Sequence, residues 1–291
     1  MADVSVVVVT WNALPYVEQC LESVRGEDVV VVDNGSKDGT VALVRERFPE
    51  MRLIEQENKG MGGGNNAGMR AADGRYFLLL NSDAWVVDDG LAQLVAFADA
   101  HPEAAVVGPK LLNTDGTLQR SARGEPTLWS LATEYLAIRK LAPHSGRLNP
   151  LYRGDFDHDR VAEVDWLSGA ALLVRREAAD AVGLFDEDFF MFSEEVDWMT
   201  RFRRAGWKVL FYPDAEVVHV GGASHGGRMY VENLRGHLRF FAKHRSLKEA
   251  ERVRRMLLWS LRARALVLRR EHEREGVRFL SSGNARTLIE R

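Results

Sequence analysis

The sequence predicts an α/β fold with a mostly parallel, Rossmann-like central sheet, flanking helices and a C-terminal helical extension. From residue 4 onward, short β-branched runs alternate with longer amphipathic stretches, as strands and helices do around a parallel sheet. Runs such as Val29 to Val32 are apolar throughout, which is typical of strands that helices cover on both faces. A change in charge along the chain marks the extension.

That change falls at residue 242. The whole chain carries a net charge of -3, but residues 243–278 carry +7 and residues 279–291 carry +1, which leaves -11 for residues 1–242. We therefore expect a main domain over residues 1–242 and a basic, amphipathic helical tail over residues 243–291.

Strand-helix units fill the first half of the chain. Apolar residues at helical spacing follow Pro15, and proline is favoured in a first helical turn. The segment from Asp33 to Ser36 ends the second strand. The predicted strands are 4–9, 29–32, 52–55, 76–80 and 104–107, the predicted helices are 14–24, 40–48, 66–72 and 89–100, and 60–68 is a glycine-rich loop.

Beyond residue 108 the elements become less regular. Asn113-Thr114-Asp115-Gly116 is a hairpin signal, and Gly206 ends a helical pattern. The predicted helices are 129–138 and 194–205, and the predicted strands are 161–165, 170–174, 208–211 and 216–220.

Composition excludes several classes of protein. With 46% hydrophobic residues and near-neutral charge, the chain is neither disordered nor collagen-like. Its single cysteine, Cys20, excludes an internal disulfide and favours a reducing compartment. We find neither a signal peptide nor about 18 successive apolar residues, so we expect a cytoplasmic protein.

Polar side chains follow four of the predicted strands. Thr10 and Asn12 follow the first, Asp33 the second, Asn58 the third, and Asn81-Ser82-Asp83 the strand at 76–80. Ligands of open α/β sheets bind outside the carboxyl ends of the strands, although single polar residues there are also ordinary turn and cap residues. Polar residues after four strands together predict a binding site at this edge of the sheet.

The glycine-rich segment supports two interpretations. Its glycines allow a close approach of backbone to ligand, and it leads to a helix N-terminus that favours phosphate. Gly62 to Ala67 also satisfies G-x-G-x-x-A, and Asp83 follows some 20 residues later, so an NAD-dependent Rossmann oxidoreductase is the alternative.

Acidic residues and one histidine are candidates for metal binding and proton transfer. Asp83 after a buried strand offers the oxygen that a divalent cation prefers, and His219 ends another strand; a turn aspartate and a core histidine are the structural alternatives. Ser193 precedes Glu194, Glu195 and Asp197 at a predicted helix start, where acids complement the dipole. The four apolar residues before Ser193 favour a buried carboxylate that accepts a proton.

In order, the motifs resemble those of bacterial family 2 glycosyltransferases with the GT-A fold, closest to rhamnosyltransferase-like members. The resemblance covers residues 4 to about 240 and rests on VSVVVVTWN, VVVDNGSKDGT, ENKGMGGGNNAG, YFLLLNSDA and GLFDEDFFMFSEEVDWM. It implies inverting, single-displacement transfer from a nucleotide-diphosphate sugar, dTDP-rhamnose or a UDP- or GDP-sugar, with Mg²⁺ or Mn²⁺. It further implies a saccharide or lipid-linked acceptor and a role in cell-surface polysaccharide synthesis.

The same resemblance assigns site residues. It implies that residues 1–110 bind the nucleotide, and that residues 111–242 bind the acceptor. It assigns Asp83 and His219 to the metal, although asparagine at position 81 replaces the first acid of the family's Asp-X-Asp. Glu195 occupies the position of the general base, where the family carries aspartate, so Glu194 and Asp197 stay rivals. The implied nucleotide-binding residues are Thr10, Asn12, Asp33, Asn58, Gly64, Asn66 and Asn81.

The basic tail has two interpretations. Val253, Leu257 and Leu261 share a helical face, which predicts packing on the acidic body or a dimer contact. Peripheral contact with the inner face of the plasma membrane is the alternative, because arginines and a tryptophan flank that face. Nothing accompanies the basic stretch that would indicate nucleic-acid binding. A catalytically silent nucleotide-sugar-binding relative is the remaining alternative for the whole chain.

Overall fold

The computed structural model of the protein describes residues 3–221, 227–268 and 270–290. The strands are β1 Val4–Thr10, β2 Asp28–Asp33, β3 Arg52–Glu55, β4 Tyr76–Asn81, β5 Ala84–Val86, β6 Ala104–Leu112, β7 Leu118–Gln119, β8 Ala122–Arg123, β9 Ala162–Glu163, β10 Trp166–Leu167, β11 Ala171–Arg175 and β12 Lys208–His219. The α-helices are α1 Val17–Glu22, α2 Thr40–Arg47, α3 Gly60–Ala71, α4 Gly90–Ala100, α5 Leu128–Tyr135, α6 Arg176–Val182, α7 Glu194–Arg204, α8 Gly227–His244, α9 Leu247–Leu268, α10 Glu271–Ser281 and α11 Ala285–Ile289.

One mixed sheet organises the molecule. Its strands lie in the order β3-β2-β1-β4-β11-β6-β12-β5, with β7 beside β6 and β9 beside β12. The first four are parallel to one another, as are β6 and β12, whereas β11 is antiparallel to both of its neighbours. The predicted central sheet with flanking helices is confirmed. A separate pair joins β8 and β10.

Helices cover both faces of the sheet, which explains the unbroken apolar runs. All seven residues of β1 are buried. Val6 and Val8 pack in a core with α1, α2 and α4, whereas Val7 packs in a second core with α3, α6 and α7. Full burial of each such side chain stabilises the fold by about 1.5–3 kcal/mol.

The glycine-rich segment is helical, contrary to the prediction of a loop at 60–68. Helix α3 begins at Gly60 rather than at Asn66. Glycine in a helix costs about 1 kcal/mol relative to alanine, so propensity alone argues for a loop. Packing overrides it, because a Cβ on Gly68 would lie 2.3 Å from Cγ1 of Val7, and one on Gly64 2.7 Å from Cγ1 of Val9. The glycines let α3 lie directly against β1.

Three further predictions need correction. The two strands predicted at 208–211 and 216–220 are the single strand β12, whose register with β6 shifts between Tyr212 and Glu216. Pro213 lies in that shift, where its missing N–H costs the ladder little. The helix predicted at 14–24 is the six-residue α1, and the one predicted at 129–138 ends at Tyr135. The hairpin is confirmed by Asn113 N donating to Thr117 O at 2.8 Å.

The C-terminal helices pack on each other and on the body. Val253, Leu257 and Leu261 are fully buried, in a cluster that includes Leu131 of α5 and Val196 of α7. The apolar face of the predicted tail is therefore occupied by the protein itself. The expected boundary after residue 242 falls inside α8, and residues 269 and 291 of the tail lie outside the described residues. None of the described helices combines the length and apolar character that a membrane span requires.

The α3–β1 contact makes a prediction about stability. We expect Gly68→Ala to lower the free energy of unfolding by about 1–3 kcal/mol, because its Cβ would overlap Val7 in a filled core. Urea denaturation measures the change. Gly62→Ala is the matched control in the same helix, since its Cβ would meet Phe185 at 3.3 Å, and we expect a smaller loss. Stabilisation by Gly68→Ala would mean that helix propensity, not packing, dominates there.

Candidate active site

The carboxyl ends of β1, β2 and β4 meet at one edge of the sheet. In the ladders, Thr10 pairs with Asp33, and Val9 pairs with Asn81. Because neighbouring parallel strands end together there, the polar residues predicted after three separate strands lie side by side.

A hydrogen-bonded pair forms the first part of the site. Thr10 Oγ1 donates to Asp33 Oδ2 at 2.8 Å, and the backbone N–H groups of Gly35 and Ser36 donate to Asp33 Oδ1 at 2.9 and 2.8 Å. Asn12 lies beside them: its Oδ1 accepts from the Lys37 N–H at 2.8 Å. These bonds fix the two loops after β1 and β2 against each other.

Two asparagines, one just before α3 and one within it, make different contacts. Asn58 is exposed, and its Oδ1 accepts from the Gly60 N–H at 2.9 Å, at the start of the helix. Asn66 is fully buried: its amide donates to Phe185 O and Glu187 Oε1 and accepts from the Phe185 N–H, all within 3.0 Å. The Asn66 side chain thus joins α3 to the segment that precedes α7.

Asp83 and His219 come together, as predicted, with Asn81 beside them. His219 Nε2 lies 3.4 Å from Asp83 Oδ1 and 3.5 Å from Asn81 Nδ2. Burial opposes ionisation of Asp83, but the hydrogen bond and charge of His219 lower its pKa below the usual value. The Asp83 carboxylate and the His219 imidazole therefore lie next to each other at the sheet edge.

Gln119 orients that imidazole, although no sequence motif indicated this residue. The Gln119 amide N–H₂ donates to Asn113 Oδ1 and to His219 O, which leaves its Oε1 to accept from His219 Nδ1 at 2.7 Å. Nε2 is then the ring nitrogen that faces Asp83. Such outer partners fix the tautomer of metal-binding histidines.

The donor set suits a divalent cation that substrate oxygens help to bind. Among the described residues, no three His, Cys, Asp or Glu side chains form a metal cluster. One carboxylate and one neutral imidazole supply two protein ligands, and cations of nucleotide enzymes commonly take further oxygens from phosphate and water. Asp83 and His219 fit such an ion.

A tight turn presents the acids at the start of α7. Phe192 and Ser193 both adopt left-handed backbone, with φ of 68° and 69°. Ser193 is the N-cap residue of α7, but its side chain makes no cap hydrogen bond. Burial raises the pKa of Glu194 well above its usual value, and the neighbouring Glu195 charge raises it further. Burial also raises the pKa of Glu195, opposed by backbone N–H groups at the helix start and by Arg123.

Glu195 connects the sheet edge to a cavity. Its Cβ and Cγ lie 4.0 Å from where a Cβ on Gly169 would be, and the next residue, Ala170, accepts a 2.9 Å hydrogen bond from the Asn81 N–H. On its other side, Glu195 lines a cavity of about 280 Å³ together with Arg123, Tyr152 and Trp166. Arg123 had no signal in the sequence, because its neighbours there are distant along the chain.

Asp197 has different partners from Glu194 and Glu195. Its fully buried carboxylate accepts from His244 Nε2 and Lys243 Nζ at 2.7 Å and from Arg201 Nε at 2.9 Å. Although burial opposes ionisation, the hydrogen bonds from His244 and Lys243 lower the pKa of Asp197 to about 2. This carboxylate is ionised, enclosed and bound to α8.

Comparison with known proteins identifies the family. A model of the family described as Glycosyl transferase family 2 matches residues 5–183. The chain belongs to family 2 of the glycosyltransferases. It is 35% identical over 240 residues to the N-acetylglucosaminyl-diphospho-decaprenol L-rhamnosyltransferase of Mycobacterium tuberculosis, which covers 75% of this chain and 76% of the relative. This glycosyltransferase is rhamnosyltransferase-like, and the alternative of an NAD-dependent oxidoreductase is wrong.

A second relative is similar over a shorter stretch. The family 2 chain is 38% identical over 122 residues to the succinoglycan biosynthesis protein ExoO of Rhizobium meliloti, covering 39% of this chain and 35% of that protein.

Solved structures confirm the GT-A fold. The mannosyltransferase PcManGT of Pyrobaculum calidifontis, in complex with GDP-Man and Mn²⁺, aligns with a TM-score of 0.58 at 17% identity, covering 99% of this chain and 86% of that one. TarS of S. aureus, in complex with UDP, aligns with a TM-score of 0.52 at 18% identity, covering 92% and 73%.

The lowered pKa of Asp197 predicts how stability depends on pH. Because folding depresses the pKa from 3.8 to about 2, its ionisation contributes about 2 kcal/mol above pH 4, and this contribution is lost as the pH falls towards 2. We expect Asp197→Asn to destabilise the protein at pH 7, with a difference that narrows below pH 4. Urea denaturation from pH 7 to 3 measures it. Asp159→Asn, in an exposed pair with Arg160, is the control; a pH-independent loss in Asp197→Asn would contradict the ion cluster.

Proposed function

We propose that this glycosyltransferase transfers L-rhamnose from dTDP-rhamnose to a lipid-linked sugar diphosphate in cell-surface polysaccharide synthesis, by inverting single displacement. The position of Glu195 between the Asn81–Asp83–His219 edge and the cavity is the observation that carries the mechanism. The donor and acceptor rest on the mycobacterial relative, whose name gives a rhamnosyl transfer to N-acetylglucosaminyl-diphospho-decaprenol.

The donor lies along the sheet edge in this proposal. The loops that end β1 and β2, with Thr10, Asn12 and Asp33, hold the nucleoside, and Asn58, Gly64 and Asn66 shape the neighbouring wall. Asp33 is buried with both oxygens hydrogen-bonded, so it acts by fixing its loop as well as through any contact to the base. Residues 1–110 thus form the nucleotide half, and residues 111–242 with the C-terminal helices form the acceptor half.

Asp83 and His219 would hold Mg²⁺ or Mn²⁺, with Asn81 as a neighbour. A cation there would stabilise, as a Lewis acid, the charge that develops on the departing diphosphate. Asn81 brings no charge, so Asp83 is the one carboxylate among these three side chains. Because His219 Nδ1 is bonded to Gln119 Oε1, Nε2 is the imidazole nitrogen that would bind the cation.

Glu195 acts as the general base. It lines the cavity, whereas the Asp197 carboxylate is enclosed by Arg201, Lys243 and His244. Backbone N–H groups and Arg123 favour the ionised form of Glu195, whereas burial and the neighbouring Glu195 charge favour the protonated form of Glu194. Glu195 takes the proton of the acceptor hydroxyl, the hydroxyl oxygen bonds to the anomeric carbon, and the bond from that carbon to the diphosphate breaks. Attack from the side opposite the leaving group inverts the configuration.

Binding and turnover assays test the donor and the metal site. We expect dTDP to raise the melting temperature more with Mn²⁺ than with EDTA, and more than UDP, GDP or NAD does. Asp83→Ala should weaken the Mn²⁺-dependent binding at least about tenfold, or about 1.4 kcal/mol. Asp89→Ala, an exposed aspartate nearby, is the control. Binding that is indifferent to Mn²⁺ would refute the metal site, and tight binding without transfer from any donor would indicate a silent relative.

Substitution of the base tests the mechanism. We expect Glu195→Gln to lower kcat by about 10²–10⁴ with little change in nucleotide affinity, because an isosteric amide cannot accept the proton. Glu194→Gln is the matched control and should lose far less. The rate should also fall on the acid side at a pH above the usual range of a glutamate, because burial raises the pKa of Glu195 and only its ionised form is active. Full activity in Glu195→Gln would move the role to Glu194.

A further inference from the structure

A partly open cavity beside Glu195 is lined by residues with unsatisfied polar atoms. It lies between β8, the turn before α7, and helices α5, α8 and α9, and its volume is about 280 Å³. Arg123 Nε, Glu195 Oε2 and Tyr230 Oη all belong to lining residues, and each is buried without a hydrogen-bond partner among the described residues. Buried polar atoms are nearly always paired, so these three residues have hydrogen-bonding capacity left for a polar ligand.

Arg123 brings a cation to the cavity that forms no ion pair. Its guanidinium stacks on Tyr152 at 4.0 Å and lies 5.7 Å from the Trp166 ring, and among the described residues no carboxylate lies within ion-pair distance of it, although the charge of Glu195 acts on it from farther away. Arg264, the other arginine of the cavity, is paired with Glu273 at 2.8 Å. A guanidinium stacked on aromatic rings and outside any ion pair is suited to an anion that binds through two parallel hydrogen bonds, as phosphate does.

We propose that this cavity binds the sugar phosphate portion of the acceptor, with the phosphate on Arg123 and the reacting hydroxyl at Glu195. The inference rests on the proposed function, and it assigns the acceptor's anionic group to a residue of this chain. A cavity of about 280 Å³ is comparable in size to one sugar ring with its phosphate. The C-terminal helices, which supply Tyr230, Asn233 and Arg264, are then part of the acceptor site.

Calorimetry with two probes tests the assignment. We expect the enzyme to bind N-acetylglucosamine 1-phosphate at least about tenfold more tightly than N-acetylglucosamine, since hydrogen bonds to a charged group are the stronger ones. Arg123→Met should abolish that preference, and Arg160→Met should keep it. Arg160 is the matched control because its guanidinium also lies over an aromatic ring, Phe156, but on the exposed surface.

Transfer assays give a second readout. With a lipid-linked N-acetylglucosaminyl diphosphate as acceptor, Arg123→Met should lower kcat/KM about 10- to 100-fold more than it does with neutral benzyl N-acetylglucosaminide. The loss with the neutral acceptor measures only what Arg123 contributes to the ionisation of Glu195. Equal losses on both acceptors, or none, would overturn the proposal. Weaker nucleotide binding in Arg123→Met would assign this arginine to the donor instead.

A chemical modification experiment replaces the variant if Arg123→Met does not fold. In the unaltered enzyme, the phosphorylated sugar should protect Arg123 from modification by phenylglyoxal, and the neutral sugar should not. Absence of protection by the phosphorylated sugar would overturn the proposal. Arg123-dependent binding of the phosphorylated sugar without transfer from any donor would refute the proposed function alone. Transfer that is indifferent to Arg123→Met would refute this inference alone.

Discussion

The buried carboxylate of Asp197 holds helices α7 and α8 together. It lies on the first turn of α7, two residues after Glu195, and binds Lys243 and His244 at the end of α8. An enclosed carboxylate is costly to separate from the side chains that hydrogen-bond to it, so α7 and α8 keep one relative position. The turn that presents Glu195 depends on that position, because a Cβ on Gly236 of α8 would lie only 2.7 Å from Phe192 O.

This attachment explains why a helical extension belongs to a catalytic fold. The family pattern covers residues 5–183 and so ends before α7, β12 and the C-terminal helices. The proposed donor edge lies almost wholly within that pattern, with His219 added from β12. The cavity beside Glu195 is lined in large part by residues outside it, including Tyr230, His237 and Arg264. Because function belongs to sites rather than to folds, the family match alone does not define this cavity.

Local patterns in the sequence were enough to predict the sheet and the edge where its polar residues meet. They were not enough to predict contacts between segments that are distant along the chain. The strand ends are readable because parallel strands share an edge, and this brings Asn81 within 3.5 Å of His219 across 138 residues. The helical state of the glycine-rich segment depends on contact with β1, which no local pattern contains. Gln119 is 100 residues from His219 and lies on a two-residue strand, so only the fold reveals that it orients the imidazole.

The three acids in the first turn of α7 are equivalent candidates in the sequence, and only their contacts in the fold distinguish them. The helix N-terminus favours the ionised form of all three, so the dipole cannot distinguish them. Hydrogen bonds from His244 and Lys243 lower the pKa of Asp197 against the effect of burial, whereas burial and the Glu195 charge raise the pKa of Glu194. Glu195 lies next to a cavity and within the influence of Arg123. Environments that separate the pKa values of neighbouring acids assign proton-transfer roles in enzymes, and this difference is the basis for proposing Glu195 as the base.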